Sequence, residues 1–230
     1  MLLNEILDSS PCKVKNTNPN LHRWKNWDPN TPFAPIFDVP IWMEDLDTDF
    51  IDRLISEIQE NKVGSERDSW RVYNIFDWKT TSTRSLQSSI LKSYIEYIDS
   101  IQYETENPED VWIRGWGVVL EPGQHLPKHS HSYHENTFIS GNVMLSDNKT
   151  YTEYFIPHLS DYYGPWRCEN IPGRMTLFPS WVLHGVLPTE YYRVSIGFDL
   201  YTSHTMNYIL KNRIVGDMLQ ESILKSIKLV

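Results

Sequence analysis

The period of apolar positions changes twice along the chain. Between Asp47 and Asn61, Phe50, Ile51, Leu54, Ile55 and Ile58 fall on one stripe, and Asp47 or Thr48 stands ready to cap its start. That spacing predicts a helix over 47–61. Leu86, Ile90, Leu91, Tyr94, Ile95, Ile98 and Ile101 repeat in the same way and predict a second helix over 85–101. Both stripes read as core packing. From Trp112 the period drops to two. Strands are predicted over 112–120, 137–145, 151–156, 174–178 and 193–200, separated by turn signals at Glu121-Pro122-Gly123, Asp147-Asn148-Lys149 and Pro172-Gly173. A succession of short strands at such intervals predicts a β-sandwich or barrel. From Met206 onward Ile209, Leu210, Ile214, Met218, Leu219, Ile223 and Ile227 return to helical spacing. This tail is a candidate cover for the barrel or a homodimer contact.

The segment before the first helix is different. Residues 1–35 are rich in Asn and Pro and predict an extended arm with turns, after a short helix at 2–8, with Trp24 and Trp27 as anchors. Ile36 to Trp42 predicts a short strand that Pro40 confines to a sheet edge. Trp70 to Trp78 reads as strand and loop near a site mouth. The expected organisation is one domain: an arm at 1–35, a helix and strand support at 36–110, a β core at 111–203 and a helical tail at 204–230.

Composition narrows the partners. The 230 residues are 40% hydrophobic and 22% charged, as in a soluble globular protein, and long enough for one well-buried core. A formal net charge of −9 argues against nucleic acid or an anionic membrane as the main partner. Nine Trp and thirteen Tyr suit a β-rich core with a flat-walled cleft. Cys12 and Cys168 lie far apart and outside any metal-ligand spacing, which predicts reduced thiols in a cytoplasmic protein. The start Met1-Leu2-Leu3-Asn4-Glu5 does not read as a signal peptide, and no apolar run is long enough to span a bilayer.

Candidate chemistry concentrates between Gly123 and Ser195. His129 and His131 are two apart, so on a strand both rings would face one side. His184 follows the turn Phe178-Pro179-Ser180-Trp181 and can enter the same cavity from another strand. Imidazole suits iron, and two His with one carboxylate on one face is the usual set for non-haem iron oxygenases. Arg193 follows nine residues after His184, on a strand expected to lie beside it across a turn at Leu187 to Glu190. A guanidinium pairs with a carboxylate in a planar fork. A diacid cosubstrate could then chelate the metal at one end and dock its far carboxylate on Arg193, with Ser195 donating a hydrogen bond.

These residues carry a resemblance. His129-Ser130-His131, Ser140-Gly141, the run from Gly173 through Phe178-Pro179-Ser180-Trp181 to His184, and Arg193-Val194-Ser195 look like the motifs of 2-oxoglutarate and Fe(II)-dependent oxygenases. The nearest likeness is to a bacterial and phage group close to the prolyl-hydroxylase-like and phytanoyl-hydroxylase-like enzymes. The resemblance implies an α+β, mainly β fold with a double-stranded β-helix (jelly-roll, cupin-like) core and flanking helices. It implies Fe(II) on His129 and His184, and 2-oxoglutarate on Arg193 and Ser195. The activity implied is hydroxylation of a small molecule or amino-acid side chain, with release of succinate and CO2. His131 stands where that superfamily carries Asp or Glu. A three-His site is one answer; His134 or Glu135, in the run 132–136, are the others. Trp116, Asn136 and Asn142 are candidate substrate walls, with core packing the plainer reading of each, and Trp181 a structural plug beside His184.

Two further readings remain open. Gly123, His129, His131 and Glu135, then Gly173, Pro179 and His184, also resemble the two cupin motifs, although Trp181 replaces a Gly there. A cupin would hold a metal without needing Arg193. The third reading is a metal-free β-barrel binding module whose His and Trp residues line a cleft.

Overall fold

The structure is a computed structural model; it describes residues 18–25, 31, 33–61, 73–105, 107–131, 138–147, 149–156, 159, 164–212 and 222–230. In chain order the strands are β1 (Leu21–Lys25), β2 (Asp38–Asp45), β3 (Val111–Leu120), β4 (Leu126–His129), β5 (Ile139–Met144) and β6 (Tyr151–Phe155). They continue with β7 (Trp166–Glu169), β8 (Arg174–Pro179), β9 (Leu183–Val186), β10 (Arg193–Thr202) and β11 (Ile227–Lys228). The helices are α1 (Ile51–Glu60), α2 (Thr81–Ser100) and α3 (Ser203–Asn212), with a 3-10 turn at Ile75–Trp78.

Two antiparallel sheets face each other. The larger runs in the order β1-β2-β8-β5-β10-β3-β11 and the smaller β4-β9-β6-β7. β10 lies between β5 and β3, so it is paired along both sides. Its even positions, Val194, Ile196, Phe198 and Leu200, join the main core with Leu54 and Ile58 of α1 and Leu86, Ile90, Tyr94 and Ile98 of α2. Each such large apolar side chain contributes roughly 1.5–3 kcal/mol when fully buried. The odd positions, Arg193, Ser195, Gly197 and Asp199, point the other way, into the space between the sheets. Arg193, Ser195 and Asp199 too are almost wholly buried, and Gly197 is half-buried. A strand that reads as alternating apolar and polar therefore has no solvent face. Its polar half lines the interior.

Register sorts this inner face into rows. Arg114 of β3, Asp199 of β10, Ser140 of β5 and Phe178 of β8 form one row. Trp116, Gly197, Asn142 and Thr176 form the next. The two rows beyond hold Ser195 beside Met144, and then Arg193 beside Leu120. Gly197 is required by this packing. A Cβ there would sit 3.0 Å from the Trp116 ring, so the bare backbone lets the indole lie across the strand.

The expected elements differ from the observed ones in specific ways. β2 is not an edge strand: it pairs with β1 on one side and β8 on the other, and β1 takes the edge. Pro40 is tolerated because it faces only Arg23 of β1; pairing with β8 starts at Trp42. α1 begins at Ile51 after Phe50, which gives no side-chain cap; Asp47 caps only the turn before it, accepting from the Asp49 N–H at 3.2 Å. α2 begins four residues before the expected start, because Thr80 caps it by accepting from the Thr83 N–H at 3.2 Å. In the tail, α3 buries Met206 and Ile209 with Ile223 against Tyr201, and residues 222–223 are again helical, but Ile227 enters a strand beside β3. Trp24 does anchor the arm, meeting Phe37 edge-on at 5.9 Å. The expected helix at 2–8, Trp27, and the stretches 62–72 and 213–221 lie outside the described residues. No described helix is long and apolar enough to cross a membrane.

Candidate metal and carboxylate site

Three histidines meet between the sheets. His129 ends β4 and is in register with His184 of β9, which is in register with Tyr154 of β6. β4 and β9 can come this close because Gly185 has no side chain; a Cβ there would lie 2.9 Å from the Leu126 carbonyl. His131 arrives differently from the expected i, i+2 strand geometry. It lies beyond the end of β4, and its backbone N–H donates to the Ser180 carbonyl at 2.9 Å, inside the turn that precedes β9. Ring centroids are 4.3 Å apart for His129 and His184, 5.0 Å for His131 and His184, and 5.2 Å for His129 and His131. One ring nitrogen from each lies within 4.8 Å of the other two. Among the described residues these three form the group that could hold a metal ion.

Each ring is oriented by its other nitrogen. His129 Nδ1 lies 2.8 Å from the Pro127 carbonyl and His184 Nδ1 3.3 Å from the Val182 carbonyl. His131 Nδ1 lies 2.5 Å from Asp199 Oδ1. A carbonyl oxygen only accepts, so in His129 and His184 the proton sits on Nδ1 and the neutral ring keeps its lone pair on Nε2, while His131 donates from Nδ1 to the Asp199 carboxylate. Burial, reinforced by the neighbouring histidines, lowers the pKa of His129 and lowers that of His184 further. Neutral imidazoles with a free Nε2 are what a divalent transition metal takes. The residues present therefore fit such an ion.

Asp199 is the residue that sequence reading missed. It is 1% exposed and stands on the inner face of β10 with Arg193 and Ser195. Its carboxylate accepts from His131, from Arg114 at 2.8 Å, from the Ser140 hydroxyl at 2.7 Å and from the Tyr201 hydroxyl at 3.1 Å. Burial alone would raise its pKa, but the charges of His131 and Arg114 and these hydrogen bonds hold it well below the usual carboxylate range. The signal available was parity: an acid in the same odd series as Arg193 and Ser195.

Arg193 lies at the other end of the same face. Its Nη1 donates to the Ser195 hydroxyl at 2.7 Å and its Nη2 to the Met144 sulfur at 3.2 Å, while its buried Nε has no partner. No carboxylate pairs with it among the described residues. Burial pushes its pKa down to about 10. An unneutralised guanidinium, 2% exposed, is costly unless something anionic joins it. β9 and β10 belong to different sheets, so His184 and Arg193 are not on paired strands as the spacing suggested; the turn between them crosses from one sheet to the other. Tyr154 connects the two ends. Its ring lies 6.2 Å from His184, and its hydroxyl end is close enough to Arg193 to interact with it electrostatically. The phenol also accepts from Asn142 Nδ2 at 2.8 Å and lies 2.6 Å from the Thr176 hydroxyl.

Of the other expected residues, Trp116 lies 5.6 Å from the His131 ring, with the Arg114 guanidinium 4.9 Å from its indole. Asn142 is on the inner face of β5. Trp181 is 42% exposed, which is not the position of a plug; Phe178 fills that place, 4.9 Å from the His184 ring. His134, Glu135 and Asn136 lie outside the described residues.

No protein-family model matches the chain, and no curated protein matches it by sequence. Solved structures do match it. A prolyl-4-hydroxylase from Pseudomonas putida is 15% identical, with a TM-score of 0.53 over 70% of this chain and 87% of that one. The non-heme alpha ketoglutarate dependent epimerase SnoN, from nogalamycin biosynthesis, is 12% identical, with a TM-score of 0.51 over 71% and 78%. A prolyl hydroxylase from Trichoplax adhaerens, solved with a hypoxia inducible factor peptide, is 12% identical, with a TM-score of 0.51 over 73% and 86%. These are likenesses of fold at low identity. They agree in fold with what the sequence motifs led us to expect.

Proposed function

We propose that the protein is a non-haem Fe(II), 2-oxoglutarate-dependent oxygenase on a double-stranded β-helix core, hydroxylating a small molecule or an amino-acid side chain. The observation that carries this reading is Arg193: a buried guanidinium with no carboxylate beside it among the described residues, lining the same interior between the sheets as three converging imidazoles. His129, His131 and His184 would hold the iron through Nε2. When bound, iron supplies the oxidising chemistry with dioxygen, and 2-oxoglutarate leaves as succinate and CO2.

The chain's own residues do the rest. Arg193 takes the distal carboxylate of the cosubstrate, with Nε as the open donor and Ser195 holding the guanidinium in plane. Tyr154, Asn142 and Thr176 make a connected polar wall between that carboxylate and the histidines. Trp116, itself buried, packs beside His131 and Arg114 on the Asp199 side. A dry interior strengthens each of these electrostatic contacts.

The all-histidine donor set is the observation that favours a second reading, a cupin-type metalloprotein that uses no 2-oxoglutarate. One experiment separates them. Anaerobic protein is given Fe(II), then 2-oxoglutarate, and the weak visible charge-transfer absorption of chelated cosubstrate is recorded. The band is expected in wild type, absent in His184→Ala, and shifted to much higher 2-oxoglutarate concentration in Arg193→Ala. Bound iron without a band would favour the cupin reading. No bound metal would leave a binding module.

A further inference from the structure

We propose that Asp199 is a positioning residue of the metal centre: the carboxylate arm of this site is a His131–Asp199 pair, with the acid one hydrogen bond behind the ligand. This deepens the proposed function and rests on its metal site.

Three observations converge on it. The first is the contact itself. His131 Nδ1 and Asp199 Oδ1 are 2.5 Å apart, closer than either carbonyl contact made by His129 or His184. A carboxylate at Nδ1 fixes the tautomer and makes Nε2 a stronger donor toward a metal. The second is that Asp199 cannot follow the ring if it drifts. Arg114 on β3, Ser140 on β5 and Tyr201 on β10 hold it from three directions, and Arg114 is itself braced by the Ser222 hydroxyl at 2.6 Å. The third is that His131 is not held by strand pairing. It lies past the end of β4, with its backbone N–H on Ser180. Its Nδ1 lies against Asp199 and, 3.2 Å away, the Ser140 hydroxyl, and its ring lies 5.6 Å from Trp116.

The arrangement has a consequence for position 131. A carboxylate placed there directly would meet Asp199 across a few ångströms of dry interior, and two like charges at that separation do not both ionise readily. A histidine at 131 and an acid at 199 are thus a matched pair, and an acid at 131 is better accommodated with a neutral residue at 199.

The probe is Co(II), titrated calorimetrically into metal-free protein, with the cobalt visible spectrum as the second readout. Asp199→Asn is expected to weaken Co(II) roughly 10- to 100-fold, the usual effect of losing such a partner, and to alter the spectrum. His131→Asp alone is expected to bind Co(II) more weakly than His131→Asp combined with Asp199→Asn. Asp199→Asn strains Arg114 and is therefore open to misfolding, so wild type is examined as well. In Zn(II)-loaded wild type, proton NMR is expected to show a strongly downfield, exchange-protected Nδ1 proton assigned to His131. Unchanged Co(II) affinity and spectrum in Asp199→Asn, equal affinity of the single and double variants, or absence of the downfield proton would each overturn the assignment. Failure of wild type to bind Co(II) at all would instead overturn the metal-site reading beneath it.

Discussion

Two arginines are buried on the same inner face of the large sheet, and they are treated in opposite ways. Arg114 is fully buried and meets a carboxylate, Asp199, and a hydroxyl, Ser222. Arg193 is as deeply buried and meets a hydroxyl and a thioether, with no carboxylate beside it among the described residues. The first charge is completed by the fold and braces a neighbour. The second is the one we propose a ligand completes. Burial alone does not distinguish scaffold from site; what distinguishes them is whether the partner belongs to the chain.

The widest separation between the two should appear in stability. Arg114→Met strands Asp199 and is expected to cost about 3–5 kcal/mol in urea unfolding. Arg193→Met removes an uncompensated charge, so ligand-free stability should be unchanged or higher. Equal losses in the two variants would break the comparison. Acid should act next. His129 and His184 have folded pKa values below the ordinary one, so they bind protons more weakly folded than unfolded. Their contribution is whole above roughly pH 6.5 and is lost as pH falls below it. His184 faces His131, His129 and Asp199; of these, Asp199, with its lowered pKa, adds a second loss only below about pH 4. Melting of the metal-free protein between pH 7.5 and 5.5 should show a falling midpoint, flattened in His184→Gln.

Smaller effects sharpen the contrast. Ser140→Ala removes one of four donors to Asp199 and should cost about 1.5–3 kcal/mol, with 2-oxoglutarate affinity nearly unchanged. Ser195→Ala should cost about 1 kcal/mol, which is roughly fivefold in Kd, and that loss should appear in 2-oxoglutarate binding measured by calorimetry. If Ser140→Ala were the variant that weakened the cosubstrate, the two ends of the face would have been assigned the wrong way round.

What the sequence disclosed followed the range over which it speaks. The metal-ligand spacing and Arg193-Val194-Ser195 are compact motifs, and the chain brings their residues into one interior. The longer strands β3, β5, β6, β8 and β10 and the apolar stripes of α1 and α2 were legible because their periods are regular. β4, β7 and β9 were not: they are four residues long and carry Pro127, Arg167 and Gly185, which blur the pattern. β11 exists only because β3 is there to receive it. Asp199 escaped because an acid in an alternating strand reads as solvent-facing, and only the second sheet turns that face inward. Tyr154 escaped for the opposite reason: an aromatic on a strand reads as core, and only the fold brings its hydroxyl to Asn142 and Thr176.

The measurement that bears most directly on the unpaired guanidinium compares two ligands that differ by one carboxylate. Anaerobic protein loaded with Fe(II) is titrated calorimetrically with 2-oxoglutarate and with 2-oxobutanoate, which keeps the chelating end and lacks the distal acid. Wild type is predicted to prefer 2-oxoglutarate by about 100-fold or more, the scale of a buried charge pair, and Arg193→Met to bind the two alike. Equal affinities in wild type, or a preference that survives Arg193→Met, would contradict the account.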